Sequence, residues 1–457
     1  MHALTSDTKN AIPLVAIDAK GYPAWLKKQP ARERDWLTAA GFDAIAGKFM
    51  LVPGASGKPT KVVVGADFKT DPIWSLAGLS ETLPAGTYKL ETRLSADTAT
   101  QVALGWELGA YRFTRYKSAA RKPANLVWPA ECDHKEVERL ARAIYLARDL
   151  INTPCEDLGP PDLAAAAKKV ADEFGARFKL ISGDQLLKHN YPTIHAVGRA
   201  SSRPPCLIDF TWGNAKAPKV TLVGKGVCFD TGGLDLKSAG GMLQMKKDMG
   251  GSAVVLALGM ALMAAKAPIR LRVLIPAVEN SVSGNSIRPR DIVKTRSGKT
   301  VEIGNTDAEG RLILCDALTE ADSESPELLI DCATLTGAAR VALGPEVHAL
   351  FSDDDELAEE LVHAGAEMAD PVWRLPLWKP YRKWLDSNIA DFNNVSDMPY
   401  AGSIVAALYL AEFVKPTTAW AHIDMMAANT SAKPGRPEGG EATGLRAMYR
   451  VIRSRFG

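Results

Sequence analysis

Four carboxylates follow or interrupt apolar runs in the middle of the chain. Asp230 lies in GKGVCFDTGGLDLKS, Asp248 lies in MLQMKKDMGG, and Asp307 and Glu309 lie in NTDAEGRL. Two like charges ~4 Å apart repel by about 4 kcal/mol at an effective dielectric near 20, so a cluster of four carboxylates is unstable alone. Two divalent cations would cancel the four negative charges, and an oxygen-rich cluster suits Mg, Mn or Zn.

Basic side chains accompany these acids without balancing them. Lys225 and Lys237 flank Asp230, and Arg311 follows Glu309 by two residues. In an extended chain, residues 307, 309 and 311 would point to one side. As an alternative, Asp307 or Glu309 caps a helix that begins near Arg311.

Other kinds of site find little support in the sequence. The glycines around Lys225 could form a tight loop, but the G-x-x-x-x-G-K-[ST] order of a phosphate loop is absent. The seven histidines form no H-E-x-x-H pair and the six cysteines form no C-x-x-C pair. We therefore expect neither a histidine-built zinc site nor a disulfide framework.

Alternating strands and helices would bring the acidic segments together. Residues 220–223, 271–276 and 328–333 are near-continuous apolar runs, typical of strands buried on both faces of a largely parallel sheet. Helical patterns cover 242–265 and 312–321. Ligands of open α/β sheets gather at the carboxyl ends of strands, which here predicts a site formed by residues 224–237, 305–311 and 334–338.

A change in pattern near residue 116 divides the chain. The basic, proline-containing stretch 116–132 follows short strand-like runs at 61–64 and 101–104 and precedes a helical pattern over 136–151. We expect a small N-terminal α/β domain and linker over 1–130. A larger domain over 131–457 is expected to contain a mixed, largely parallel sheet flanked by helices.

The composition is that of a soluble globular protein. Of 457 residues, 46% are hydrophobic and 24% are charged, and the formal net charge of +2 gives no field to hold nucleic acid or an anionic membrane. The apolar stretch 251–265 is shorter than the ~20 residues of a membrane helix, and the N-terminus lacks a signal pattern. We expect a cytoplasmic protein with no membrane partner.

The four motifs GKGVCFDTGGLDLKS, KKDMGG, NTDAEGRL and DCATLTGA resemble the leucine aminopeptidase (cytosol aminopeptidase) family of di-metal exopeptidases. The resemblance extends from LGAYRFTRYKS through ARDLINTPCEDLGP to VWRLPLW, SNIADFNN and WAHID. Residues before about 80 carry none of it. The resemblance implies a metalloaminopeptidase whose catalytic domain covers residues 131–457.

The resemblance also implies a role for each matching residue. The implied metal ligands are Lys225, Asp230, Asp248, Asp307 and Glu309, with Asp230 and Glu309 bridging two ions. Lys237 would polarise the scissile carbonyl, and Arg311 would hold a bicarbonate anion. The implied pocket for the first side chain is lined by Met245, Thr334, Leu335, Gly337 and Met426.

The implied reaction removes the N-terminal residue, Leu-like or otherwise apolar, from peptides with a free terminal amine. Two ions, Mn or Zn with Mg or Co possible, would activate a water. The family also implies a homohexamer. This chain departs from the family pattern at Met426, which stands where a small pocket residue is usual, and at Val405, where Thr is common.

Two alternatives remain open at this point. Paired metals also serve other two-metal hydrolases such as phosphoesterases. The segment 111–122, YRFTRYKSAARK, interleaves aromatic and basic residues as a nucleic-acid-binding stretch would, although a solvated linker explains the same residues and we expect no nucleic-acid partner.

Overall fold

The computed structural model describes residues 3–457. Its internal contacts divide the chain into two compact units. The first comprises the described residues up to Tyr145 together with Ser431–Glu438, and the second comprises Leu146–Thr430 and Gly439–Gly457. Every candidate site residue belongs to the second unit. The predicted fold class, a small N-terminal α/β domain followed by a larger domain with a mixed sheet and flanking helices, is confirmed.

The first unit contains a six-stranded sheet. Its strands are Leu4–Thr5 (β1), Ile12–Ile17 (β2), Phe49–Pro53 (β3), Pro59–Gly65 (β4), Thr87–Leu90 (β5) and Asn125–Val127 (β6). They lie in the order β1-β6-β5-β2-β4-β3. β3 and β4 pair antiparallel, and the other neighbouring pairs are parallel.

Five helices begin in this part of the chain. They are Tyr22–Leu26 (α1), Ala31–Ala39 (α2), Leu79–Thr82 (α3), Ala96–Gly109 (α4) and His134–Asn152 (α5). The strand-like interpretation of residues 101–104 is wrong, because they lie inside α4. Ala99, Val102, Ala103 and Trp106 follow helical spacing and are all fully buried.

The basic segment 111–122 is partly engaged in the packing of the first unit. Tyr111 is buried. Arg112 forms an ion pair with Glu81 at 2.8 Å, and its Nη1 also donates to the Gly109 carbonyl. These two side chains therefore serve the fold, whereas residues 114–122 are exposed, in keeping with a solvated linker.

The second unit contains fourteen strands within the described part of the chain. They are Arg177–Ser182 (β7), Cys206–Trp212 (β8), Lys219–Gly224 (β9), Gly226–Asp230 (β10), Arg270–Asn280 (β11), Ile292–Lys294 (β12), Thr300–Glu302 (β13), Leu328–Ala333 (β14), His348–Phe351 (β15), Val372–Arg374 (β16), Phe392–Asn393 (β17), Trp420–Asp424 (β18), Ala428–Asn429 (β19) and Gly439–Gly440 (β20).

Nine of these strands form one mixed sheet. The order is β16-β15-β18-β14-β9-β11-β8-β7, and β10 pairs with β11. β18, β14, β9 and β11 are mutually parallel neighbours, and β10 is parallel to β11. The carboxyl ends of β9 and β14 therefore meet at one edge, as predicted, and the carboxyl end of β18 lies at the same edge. β12 and β13 pair antiparallel as a hairpin.

Helices cover the sheet of the second unit. They are Pro160–Glu173 (α6), Gln185–Lys188 (α7), Pro192–Gly198 (α8), Ala239–Met242 (α9), Gly250–Ala264 (α10), Glu309–Ser323 (α11), Gly337–Leu343 (α12), Asp355–Glu367 (α13), Gly402–Ala411 (α14) and Leu445–Phe456 (α15). A single turn of 3-10 helix, Met245–Lys247, lies between α9 and α10.

The helical stretch Ala239–Ala264 is long and apolar enough to cross a membrane by length and composition alone. It extends beyond the apolar residues 251–265 singled out in the sequence. However, 94% of its apolar window is buried inside the fold, where α10 packs against β9, β14 and α15. That burial accounts for its apolar composition.

Candidate active site

Lys225 connects two strands at the carboxyl edge of the sheet. It lies between β9 and β10 and is 2% exposed. Its Nζ lies 2.7 Å from Asp248 Oδ2 and 2.9 Å from Glu309 Oε1, and it donates to the Thr334 carbonyl at 3.1 Å. Burial lowers the pKa of this amine, but the surrounding carboxylates outweigh burial and hold it above its usual value.

Gly310 lets the Lys225 side chain reach this position. A Cβ at residue 310 would lie 2.6 Å from Lys225 Cε and 2.7 Å from its Nζ. Any larger residue would displace the amine from Asp248 and Glu309. The glycine of NTDAEGRL is thus required by a close approach.

Asp230 ends β10 and is held by neighbours on three segments. Its Oδ1 accepts hydrogen bonds from the Gly232 backbone N–H at 2.8 Å and from Asn280 Nδ2 at 2.9 Å. Its Oδ2 lies 2.9 Å from Lys237 Nζ. Lys237 also pairs with Asp307, so one ammonium group bridges two carboxylates.

The loop between Asp230 and Lys237 turns sharply. Gly232 has φ +88°, a conformation that residues with a side chain rarely adopt. Thr306 Oγ1 donates to the Gly232 carbonyl at 2.7 Å, and the Lys237 backbone N–H donates to the Thr231 carbonyl at 2.9 Å. The loop thereby returns Lys237 to the side of Asp230.

Asp307 and Glu309 do not lie on an extended strand as expected. Glu309 is the first residue of α11, so Glu309 and Arg311 belong to its first turn, whereas Asp307 lies in the turn before it. Neither acid caps the helix: Ala308 is the N-cap residue and no side chain caps it. The turn still brings Asp307 and Glu309 to Asp230.

The three acids Asp230, Asp307 and Glu309 form one compact cluster. Each offers a ligand oxygen, and these oxygens lie within 4.8 Å of one another. Burial, followed by the charge of Asp230, raises the pKa of Glu309 to about 8, and the same two causes raise the pKa of Asp307. Within the described residues 3–457, Glu309 Oε2 is buried without a hydrogen-bond partner. A buried, unpaired carboxylate oxygen among other acids fits a metal cation.

Asp248 reaches the cluster from the opposite side. It precedes α10 directly after the 3-10 turn, and it is 3% exposed. Thr334 Oγ1 donates to Asp248 Oδ1 at 2.8 Å, which leaves Oδ2 directed to Lys225. The four carboxylates singled out in the sequence are therefore brought together through Lys225 and Lys237.

Arg311 is buried and only partly paired. Its Nη1 donates to the Asn394 carbonyl at 2.6 Å, while its Nε has no hydrogen-bond partner among the described residues. Burial lowers the pKa of this guanidinium, and the nearby carboxylates Glu309 and Asp424 counter that effect. An unpaired buried N–H of a cation is a suitable donor for an anion.

A cavity of about 450 Å³ opens over the cluster. It is lined by the metal-ligand candidates Lys225, Asp230, Asp248 and Asp307 and by Lys237, whereas Glu309 and Arg311 do not line it. All five predicted pocket residues also line it: Met245, Thr334, Leu335, Gly337 and Met426.

Three charged lining residues, Asp424, Lys247 and Arg340, were not singled out from the sequence. Asp424, at the end of β18, accepts hydrogen bonds from the backbone of Leu335 and Thr336. Lys247 and Arg340 are cations, and burial lowers the pKa of the Lys247 amine. Two sequence signals could have indicated them. Lys247 directly precedes Asp248, and Asp424 stands at the end of an apolar run.

Comparison with known proteins agrees with this geometry. Residues 145–449 match the catalytic domain of the cytosol aminopeptidase family, and residues 12–129 match the M17 aminopeptidase N-terminal domain. A probable cytosol aminopeptidase of Rhizobium meliloti (strain 1021) is 40% identical over 382 residues, which are 79% of this chain and 76% of the relative. Peptidase B of Serratia proteamaculans (strain 568) is 41% identical over 366 residues, 77% of this chain and 84% of the relative.

Solved structures give the same result. The crystal structure of a cytosol aminopeptidase from Coxiella burnetii has a TM-score of 0.95 and 48% identity, and the match covers 100% of this chain and 99% of that one. The bottromycin maturation enzyme BotP in complex with Mn has a TM-score of 0.87 and 33% identity over 98% of this chain and 99% of its own. The resemblance predicted from the sequence motifs is confirmed: the chain belongs to the cytosol aminopeptidase family of metal-dependent peptidases.

Proposed function

We propose that this protein is a two-metal aminopeptidase that removes an N-terminal residue, Leu-like or otherwise apolar, from peptides with a free terminal amine. The observation that carries this proposal is the cluster of Asp230, Asp307 and Glu309, in which a buried oxygen of Glu309 has no hydrogen-bond partner among the described residues. Residues 131–457 would form the catalytic domain, and residues 1–130 the N-terminal domain and linker.

Five residues would hold the ions: Lys225, Asp230, Asp248, Asp307 and Glu309. Four carboxylates match the charge of two dications. The nearby positive charge of the ions would displace the proton from the Lys225 amine, which would then act as a neutral nitrogen ligand. When bound, the two ions supply Lewis-acid chemistry that lowers the pKa of a water and anchors the substrate amine. Mn or Zn is proposed, with Mg or Co as alternatives, and the Mn complex of BotP supports Mn.

Lys237 would remain charged and donate to the carbonyl oxygen of the scissile bond as negative charge develops there. Its Nζ already lies beside Asp230 and Asp307, at the boundary between the acidic cluster and the cavity. A preorganised donor of this kind stabilises the transition state more than the ground state. Arg311 would hold a bicarbonate anion that moves protons during the reaction.

The cavity walls would select the substrate. Met245, Leu335 and Met426 offer apolar surface, while Thr334 and Gly337 leave room for a side chain. By analogy with the family, we propose a homohexamer in the cytoplasm; the name cytosol aminopeptidase given to relatives supports that location.

The proposal is tested with a leucyl chromogenic amide. The purified chain is chelated, dialysed and analysed for metal, and activity is then measured with and without Mn, Zn, Co or Mg. We expect activity to require metal, with up to two ions bound per chain, and an N-acetylated leucyl amide to resist hydrolysis. Full activity in a protein shown to retain no metal would contradict the two-metal mechanism.

A further inference from the structure

A second cavity, of about 660 Å³, lies at the opposite end of β18 from the active site. Trp420, the first residue of β18, lines this cavity, whereas Asp424, the last residue, lines the cavity over the acidic cluster. Among the described residues, the two cavities share no lining residue. The second cavity is therefore a separate site, and its volume lies within the range of pockets that bind small molecules.

Much of the lining of the second cavity is apolar. Leu408 and Trp420 are buried, at 5% and 6% exposed, and Leu377 and Val414 are half-buried. The indole Nε1 of Trp420 donates to Oδ2 of the fully buried Asp331 at 2.7 Å. Because the polar atom of the indole is engaged within the fold, Trp420 offers ring carbons to the cavity. A branched or aromatic side chain would pack against this surface.

Charged side chains of both signs complete the lining. They are the cations Lys299, Lys379, Arg382 and Lys415 and the carboxylates Asp353, Asp354 and Glu412. Four positive and three negative charges nearly cancel, so the cavity has little net charge to favour a simple anion or a simple cation. A ligand that carries both charges and is neutral overall is the complementary one.

Three of the four cations are committed to other groups. The two oxygens of Glu412 lie 2.8 Å from Lys299 Nζ and 2.6 Å from Arg382 Nε. Lys415 pairs with the buried Asp322 at 3.4 Å. These contacts hold the walls of the cavity together.

The ion pair between Lys379 and Asp353 can open to a ligand. Lys379 Nζ lies 3.2 Å from Asp353 Oδ2, and the two side chains are 76% and 58% exposed. Within the described part of the chain, neither charged group has a further hydrogen-bond or ion-pair partner. The neighbouring Asp354 is engaged as the N-cap of α13. An exposed pair contributes only about 0–1 kcal/mol to stability, so exchanging it for contacts with a ligand costs little.

The ammonium and carboxylate groups of a free amino acid stand on one carbon atom, at a spacing close to that of this ion pair. We propose that the second cavity binds free amino acids with an apolar side chain, with the ligand carboxylate on Lys379 and the ligand ammonium on Asp353. The apolar side chain would pack against Leu408 and Trp420. Charge-assisted hydrogen bonds at both groups would orient the ligand.

This inference goes beyond the proposed function and does not depend on it. Free apolar amino acids are nevertheless the products that the proposed reaction releases. The second cavity would therefore sense the class of compound that the active site produces.

The test uses photoleucine, an analogue of L-leucine whose side chain carries a diazirine that bonds to neighbouring residues under ultraviolet light. It is applied to the metal-loaded full chain, and mass spectrometry locates the labelled residues. We expect label within residues 408–420, several of which line the second cavity. Excess L-leucine should displace this label. An equal excess of 4-methylpentanoate, which lacks the ammonium, or of 3-methylbutylamine, which lacks the carboxylate, should leave it in place.

Variants of the cavity test the assigned contacts. Lys379→Met and Asp353→Asn should each reduce the label within residues 408–420 by roughly 10-fold, because each removes a charge-assisted contact. Both side chains are exposed, so the two variants should fold. Ala411→Phe places a larger side chain in the cavity without changing its charge and should abolish the label there.

Lys383→Met is the matched control. Lys383 lies on the same 3-10 helix as Lys379 but does not line the cavity. This variant should be labelled as strongly as the parent. Label at the active site, wherever it occurs, should be the same in the parent and in all four variants.

The proposal is overturned if residues 408–420 carry no label, or if L-leucine does not displace the label. An unchanged label in both Lys379→Met and Asp353→Asn contradicts it as well. Displacement by 4-methylpentanoate as effective as that by L-leucine would show that the cavity recognises a carboxylate alone, which also overturns the proposal. None of these outcomes depends on whether the protein hydrolyses a leucyl amide.

Discussion

Asp424 Oδ2 accepts a hydrogen bond from Thr336 Oγ1 at 2.6 Å, at the point where β18 ends beside the loop that leads into α12. Its Oδ1 accepts the backbone N–H groups of Leu335 and Thr336 at 3.0 and 3.1 Å. The same loop begins with Thr334, whose carbonyl contacts Lys225 and whose hydroxyl contacts Asp248. Asp424 therefore acts on the acidic cluster through the loop, as a positioning residue.

Asp424→Asn should reduce kcat/KM for a leucyl amide by about 10-fold with metal content unchanged, because an amide presents a donor where the loop needs an acceptor. The lost hydrogen bonds should also lower the free energy of unfolding by ~1–3 kcal/mol. Asp354→Ala is the control, since Asp354 Oδ1 caps α13 by accepting the Leu357 N–H at 3.0 Å and alanine removes that acceptor. The control should lose stability but retain kcat/KM. Equal kinetic losses in both variants would argue for a purely structural role of Asp424.

Metal binding and transition-state stabilisation should be separable by mutation. Asp307→Ala or Glu309→Ala should lose bound metal and activity together, because each removes an oxygen of the acidic cluster. Lys237→Ala should keep its metal and lose roughly 10²-fold or more in kcat, since its proposed partner is charge that develops during the reaction. Elemental analysis and steady-state kinetics on each variant provide the measurement. A Lys237→Ala enzyme with kcat within a few fold of the parent would refute the assigned role.

Met426 should limit the size of the terminal residue. Its side chain lines the cavity and contacts Arg340, where related proteins carry a small residue according to the family pattern. Met426→Ala should raise kcat/KM for a Phe amide relative to Ala, Leu and Met amides by roughly 10-fold, within the ~1–3 kcal/mol typical of steric changes in apolar pockets. If the relative rates on the four substrates are the same in both proteins, Met426 does not restrict the pocket.

Asp316 should make the stability of the fold depend on pH. It is fully buried, its two oxygens accept the backbone N–H groups of Thr193 and Arg296, and burial raises its pKa to about 6. Because the folded state binds this proton more tightly than the unfolded state, the contribution of Asp316 to stability is largest below pH ~4 and declines as pH rises to ~6. The decline should be roughly 3 kcal/mol, at ~1.36 kcal/mol per pKa unit.

Urea unfolding of the parent and of Asp316→Asn between pH 4 and 7 measures this effect. The free energy of unfolding of the parent, minus that of the variant, should fall across this range. A constant difference would mean that Asp316 titrates at its ordinary pKa in the folded protein.

The parallel core and the acidic cluster could be predicted because their signals are local. Residues 220–223 and 328–333 are almost entirely apolar, interrupted only by Thr221 and Asp331, and form strands buried on both faces. The acids of the cluster lie where a strand ends, as Asp230 does, or where a helix begins, as Asp248 and Glu309 do. Local pattern misled at residues 101–104, because every residue of α4 from 102 to 109 is buried and this run masks the helical period. It also misled at Glu309, which begins α11 instead of lying on an extended segment.

Lys247, Arg340 and Asp424 could not be found in this way, since their roles depend on contacts across the fold. Asp424 reaches its loop only because β18 pairs with β14. Arg340 meets Met426, 86 residues further along the chain. The residue spacing within one segment of the sequence cannot predict contacts between residues so far apart in the chain.

The close approach of Gly310 to Lys225 has a consequence for how such an enzyme can change. On the acidic side of the cavity, the backbone and the Lys225 side chain touch so closely that an atom added at residue 310 would force the Lys225 amine to move. Met245, Lys247, Arg340 and Met426 also line the cavity, and none of them lies within a strand, so their side chains can be exchanged without moving the sheet. Evolution or a protein engineer can therefore retune which peptides are cut while the hydrolytic machinery stays as it is.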